Sequence, residues 1–107
     1  MTAAARRDRL TAELAERDLD GVVVTTLVNV RYLTGFTGSN GALVVPREGA
    51  PVFLTDGRYR DQAAEELPDV EHQIGRDLLG AAAEHMAVLY LLLGGAAGEP
   101  TSEEGTE

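Results

Sequence analysis

Five β-branched residues in a row, Val22-Val23-Val24-Thr25-Thr26, constrain the fold more than any other stretch of the chain. Branching at Cβ crowds a helical turn and suits a pleated strand. An unbroken run of this kind predicts a strand covered on both faces, which in turn requires helices on either side of a sheet.

The rest of the pattern supplies those helices. Leu10 and Leu14 stand four apart among Arg6, Arg7, Asp8, Arg9, Glu13, Glu16 and Arg17, predicting an amphipathic surface helix with one apolar stripe. Asp20-Gly21 stops it. Leu27 to Thr34, with Val28, Tyr32 and Leu33, predicts one or two helical turns, and Gly35 to Gly41 a loop. Gly41 to Val45 and Pro51 to Thr55 predict two strands, joined as an antiparallel hairpin by the turn residues Pro46 to Ala50.

Asp56-Gly57 opens another helix, in which Tyr59, Ala63 and Leu67 recur at every fourth position. Asp56 is placed to accept free amides of its first turn, and Pro68 ends it. That stripe predicts a Tyr59 ring largely buried against the sheet. Val70 to Ile74 alternates like an edge or half-buried strand. Leu78, Ala82, Met86 and Tyr90 predict a last helix, although Val88 to Leu93 reads equally as a strand.

The order α-β-α-β-β-α-β-α, with a hairpin inside an alternating pattern, predicts an α/β fold: a mixed β-sheet with flanking helices. A chain of 107 residues holds one domain. Residues 1–93 form it, and 94–107 predict a disordered acidic tail with too little apolar surface to order itself. With two Phe, three Tyr and no Trp, the core is expected to be aliphatic.

Composition excludes several functions. Nine basic residues, all Arg, against 18 acidic ones argue against binding a phosphate backbone. No cysteine means no disulfide, thiolate zinc site or Cys nucleophile. The start reads as no signal peptide, and Met86 to Leu93 is too short to span a membrane. The expected location is the cytoplasm, with neither nucleic acid nor membrane as partner.

Candidate chemistry is sparse. Gly35-Phe-Thr-Gly38-Ser-Asn-Gly41 matches no phosphate loop and leads into a strand, so its glycines read as serving positive φ and close approach. His72 and His85 lack metal-ligand spacing and read as surface or partly packed residues. Ser39 lies in no nucleophile elbow. Asn29, Arg31 and Tyr32, with Arg58 and Tyr59, each follow a predicted strand end, where α/β sheets present their sites. The residues alone also allow a plainer reading, in which both Arg are solvated charges and both Tyr pack.

Asn29-Val-Arg-Tyr-Leu-Thr-Gly-Phe-Thr-Gly-Ser-Asn-Gly41 and Leu54-Thr-Asp-Gly-Arg-Tyr-Arg-Asp-Gln-Ala63, in this order and at this distance, resemble the N-terminal domain of the creatinase/prolidase/Xaa-Pro aminopeptidase family. The resemblance runs from about Arg6 to about Glu84 and implies a ribonuclease H-like mixed sheet. It implies no catalytic residue, cofactor or metal in this chain, because two divalent metals belong to the family's C-terminal peptidase domain. It further implies a homo-oligomer or a separate peptidase domain as partner, with Asn29, Arg31, Tyr32, Ser39, Asn40, Arg58 and Tyr59 as candidate interface or substrate-access residues. A truncated gene would look like this. Alternative readings are a stand-alone interaction module, or a small hydrolase with its own site near Tyr32, Ser39 and Arg58.

Overall fold

A computed structural model describes residues 1–92, with side chains as far as Ala87. The tail expected at 94–107 lies outside the described residues. Thr2 caps α1 (Ala3–Glu16), its hydroxyl oxygen accepting the Ala5 amide at 3.1 Å. There follow β1 (Gly21–Val24), α2 (Leu27–Thr34), β2 (Gly41–Pro46), β3 (Val52–Thr55), α3 (Arg60–Glu66), β4 (Glu71–Ile74) and α4 (Leu78–Leu92). The pattern-based order is therefore the observed one, and the segment through Leu92 is helix.

The four strands form a single mixed sheet in the order β1-β2-β3-β4. β1 and β2 pair antiparallel, as do β2 and β3, while β4 returns parallel to β3 through α3. Side chains alternate across the sheet, so β2 sends Leu43 and Val45 to one face and Ala42 and Val44 to the other. On the first face, under α1 and α2, they meet Leu14, Val30, Leu33, Phe36, Phe53 and Leu67. On the second, under α4, they meet Val52, Leu54 and Ala82.

Four expectations need correction. The strand covered on both faces is β2, all six of whose residues are buried. β1 lies at the sheet edge, so its residues are only half-buried, and Thr25 and Thr26 are exposed past its end. The core is not purely aliphatic: Phe36 and Phe53, each 1% exposed or less, pack against each other with ring centroids 4.6 Å apart and planes tilted by 56°. The helix expected from Asp56 begins as a 3₁₀ turn, Gly57–Tyr59, before α3, so Tyr59 leaves the α-helical stripe and is half-exposed.

The fourth correction concerns Arg7, read from the sequence as part of a polar flank. It is 7% exposed. Its guanidinium donates to the Leu33 carbonyl at 2.8 Å and to Asp69 Oδ2 at 2.7 Å, joining α1 to α2 and to the turn before β4. The signal was present: Arg7, Leu10 and Leu14 follow the i, i+3, i+7 spacing of one helix face.

Candidate functional site

Where α2 hands the chain to β2, Gly35 adopts φ +86° as the helix cap. The turn sends the Phe36 ring into the core, held by the Thr34 hydroxyl, which accepts the Phe36 amide at 3.0 Å and donates to the Val30 carbonyl at 2.7 Å. Gly38 follows in a gap between aromatic rings. A Cβ there would stand 2.3 Å from Phe36 and 2.8 Å from Tyr59, so the position admits only hydrogen without rearrangement.

Four side chains of the neighbouring turn and helix then fasten the loop. Glu66 accepts the Thr37 amide at 2.9 Å and its hydroxyl at 2.8 Å, while Gln62 donates to the same hydroxyl at 3.0 Å. Tyr59 Oη accepts the Ser39 amide at 3.2 Å and lies 2.5 Å from Ser39 Oγ. Asp56 accepts from Asn40 Nδ2 at 2.7 Å. Asp56 also caps the 3₁₀ turn through the Arg58 amide and takes the Arg58 guanidinium on both oxygens, at 3.0 and 2.9 Å. Arg58 leans over the Tyr59 ring, 5.1 Å from its centroid.

These bonds favour charge on the acidic members. The Arg58 guanidinium, and then Asn40, hold the Asp56 carboxyl well below the usual carboxylate range. Ser39 donors favour the Tyr59 phenolate and lower that group too. Partial burial works against ionising Glu66, but the Thr37 and Gln62 donors outweigh it and lower its value. The result is a hydrogen-bonded rim that carries the hydroxyls of Ser39 and Tyr59 and the Arg58 guanidinium. Ser39 Oγ meets a phenol rather than an imidazole, since His72 Nε2 is 3.1 Å from the Leu67 carbonyl.

Arg58 and Tyr59, drawn from the strand ends, lie beside Ser39 and Asn40, drawn from the family resemblance, whereas α2 divides the other three. Arg31 flanks a shallow groove of ≈ 180 Å³ with Val28, Thr37 and Gly38, beside the rim. Asn29 and Tyr32 instead line a separate groove of ≈ 440 Å³ between α2 and α1, where the Arg6 guanidinium covers Tyr32, 4.5 Å from the ring centroid. A site joining Tyr32 with Ser39 and Arg58 is therefore not what the fold builds. The sequence reading missed Thr37, Gln62 and Glu66, although the last two share one helix face at i, i+4 spacing. Among the described residues, no three His, Asp or Glu side chains converge as a donor set for a metal ion.

Residues 6–94 match the Creatinase/Prolidase N-terminal domain family. A creatinase/prolidase-like N-terminal domain from Corynebacterium diphtheriae is 43% identical, with TM-score 0.71 over 74% of this chain and 64% of that one. The N-terminal domain of cytoplasmic peptidase PepQ from Mycobacterium tuberculosis H37Rv is 49% identical, with TM-score 0.70 over 77% of this chain and 67% of that one. An uncharacterized peptidase, YqhT, from Bacillus subtilis (strain 168) is 45% identical over 53 residues, which is 50% of this chain and 15% of the relative.

Proposed function

The chain belongs to the creatinase/prolidase N-terminal domain family, and from that premise we propose that it is an accessory domain to a separate metal-dependent Xaa-Pro peptidase domain. Its task is to hold the Gly35–Gly41 loop as a fixed wall at a substrate entrance and to supply surface for oligomer assembly. The observation that carries this reading is the loop's fastening from three sides by Tyr59, Asp56 and Glu66. A wall that limits substrate size must not yield, and each of these bonds removes freedom from the loop. Hydrolysis itself would belong to the peptidase domain, where the family resemblance implies two divalent metals that would supply an activated water. The described residues of this chain offer no such donor set, so no step of that chemistry is assigned to them.

No described helix is long and apolar enough to cross a membrane. The likeness to the cytoplasmic peptidase PepQ of Mycobacterium tuberculosis H37Rv supports a cytoplasmic setting.

A chimera tests the proposal. Replacing the N-terminal domain of Mycobacterium tuberculosis PepQ with residues 6–94 of this chain should give an active, oligomeric peptidase. Ser39→Trp in that chimera should then depress hydrolysis of long peptides more than of short ones. An active chimera indifferent to Ser39→Trp at every peptide length would refute the substrate-access role, and an active monomer would refute the assembly role.

A further inference from the structure

The ≈ 440 Å³ groove on the opposite side of α2 is unused by the function proposed above, and that proposal does not bear on it. Its floor is apolar, made by Leu10 of α1, Val22 and Val24 of β1, and Leu33 of α2. Its rim is cationic, from Arg6 and Arg9. Neither guanidinium meets a carboxylate among the described residues: Arg6 donates to the Tyr32 carbonyl at 3.1 Å, and Arg9 reaches only the Met1 sulfur at 3.8 Å. Glu13, the one acidic residue lining the groove, is held by Arg17 at 2.9 Å. In a chain of net charge −9, this is a local reversal of sign.

The groove runs along a strand with one edge free. The Arg47 amide donates to the Asp20 carbonyl at 2.8 Å, and residues 20 and 47 continue the register of β1 with β2. Bonded and non-bonded positions alternate along an antiparallel ladder. Val22 and Val24 therefore turn their amides and carbonyls toward β2. Gly21 and Val23 turn theirs outward, where no described strand lies. Val22 and Val24 meanwhile send their side chains to the groove's floor. Main-chain donors and acceptors that are unpaired among the described residues, beside a half-open apolar floor, form the arrangement that accepts an added strand.

We propose that this groove and edge dock an extended acidic segment of a partner protein. The segment would pair its main chain with Gly21 and Val23, lay alternate apolar side chains on Leu10, Val22 and Val24, and place flanking carboxylates against Arg6 and Arg9. Charge selects the occupant: acidic segments are drawn to the two free guanidiniums, and basic ones are repelled.

The test uses the full chain and fluorescein-labelled heptapeptides, read by anisotropy. Glu-Thr-Leu-Thr-Leu-Thr-Glu, whose Glu and Leu side chains share one face of an extended chain, should bind at least about tenfold more tightly than Lys-Thr-Leu-Thr-Leu-Thr-Lys, and its affinity should fall as salt rises. N-methylation of its central amide should weaken it, because that removes a strand hydrogen bond. Amide exchange at Val23 should slow when the acidic peptide is added. Arg9→Glu, on the exposed side of α1, should erase the preference while the circular dichroism stays unchanged; should it disturb folding, Arg9→Ala gives the same comparison. Equal affinity for the two peptides, no binding of either, or unaltered exchange at Val23 would overturn the proposal. So would a dimer that protects Val23 and persists in saturating peptide, which would make a second copy the occupant.

Discussion

Tyr59 Oη accepts the Ser39 amide and lies 2.5 Å from Ser39 Oγ, so one phenol holds both the backbone and the side chain of an exposed loop residue. Tyr59→Phe deletes that oxygen and keeps the ring that packs edge-on against Phe36. The Ser39 amide should then exchange faster with solvent while the thermal midpoint stays nearly unchanged. Unchanged exchange at Ser39 would show that Glu66 and Asp56 hold the loop without Tyr59.

Asp56 links the loop to the 3₁₀ turn, and its carboxyl is held below its ordinary value of 3.8. A depressed folded value means that its contribution is present above the ordinary value and is lost as pH falls below it. The stability difference between the wild-type chain and Asp56→Asn, from urea midpoints, should therefore be largest near neutrality and shrink as pH drops through 3.8. A difference that stayed constant across that range would mean the Arg58 and Asn40 bonds do not favour the ionised form.

Arg7 is 7% exposed and carries two hydrogen bonds across element boundaries. Removing it leaves the Leu33 carbonyl without that donor and opens a gap under α1. Arg7→Ala should cost about 1–3 kcal/mol in urea unfolding, from the lost packing of a buried side chain and a buried carbonyl left without its donor, the exposed Asp69 adding little. Arg7→Met restores most of the packing and should recover part of that loss. Equal costs for the two would assign the whole effect to the charge.

Gly38→Ala should cost about 1–3 kcal/mol, because the new methyl collides with the Phe36 and Tyr59 rings, and a fully buried Phe36 has little room to move. Gly75 provides the control. Among the described residues, its two chain neighbours aside, nothing lies within 4 Å of a Cβ built there, and Gly75→Ala should leave stability within about 0.5 kcal/mol of wild type.

The chain alone, incubated with manganese or cobalt and an Xaa-Pro peptide, should show turnover no greater than a protein-free blank. Hydrolysis abolished by a chelator would instead place a complete site within this chain.

The order of elements was legible because hydrophobic period and turn chemistry act over short distances. Gly49 in the hairpin and Pro68 after α3 punctuate the chain wherever the rest of it goes. Coverage was not legible. Val22 to Val24 and Ala42 to Val45 are equally apolar runs, and only strand order decides that β1 is an edge and β2 is interior. The site was half-legible for a related reason. Strand ends could be located in the sequence, which brought Arg58 and Tyr59 into view, while Ser39 and Asn40 came only with the family resemblance. Which side of α2 each residue occupies depends on the packing of α1, and that packing carried Tyr32 and Asn29 away from the rim.

The parallel return of β4 to β3 sets a sequence of assembly. β2 and β3 are joined by residues 47–51 alone and contribute to both halves of the core, so their contacts close the shortest loop in the sheet. β4 can pair only after residues 56–70 have crossed over the sheet, a longer closure that must be completed before it is rewarded. The hairpin is thus the natural folding nucleus, and the α3–β4 unit docks late. Truncating Val44 should mainly slow folding, whereas truncating Ile74 should mainly speed unfolding, a contrast that φ-values would measure. A high φ-value at Ile74 would reverse that order.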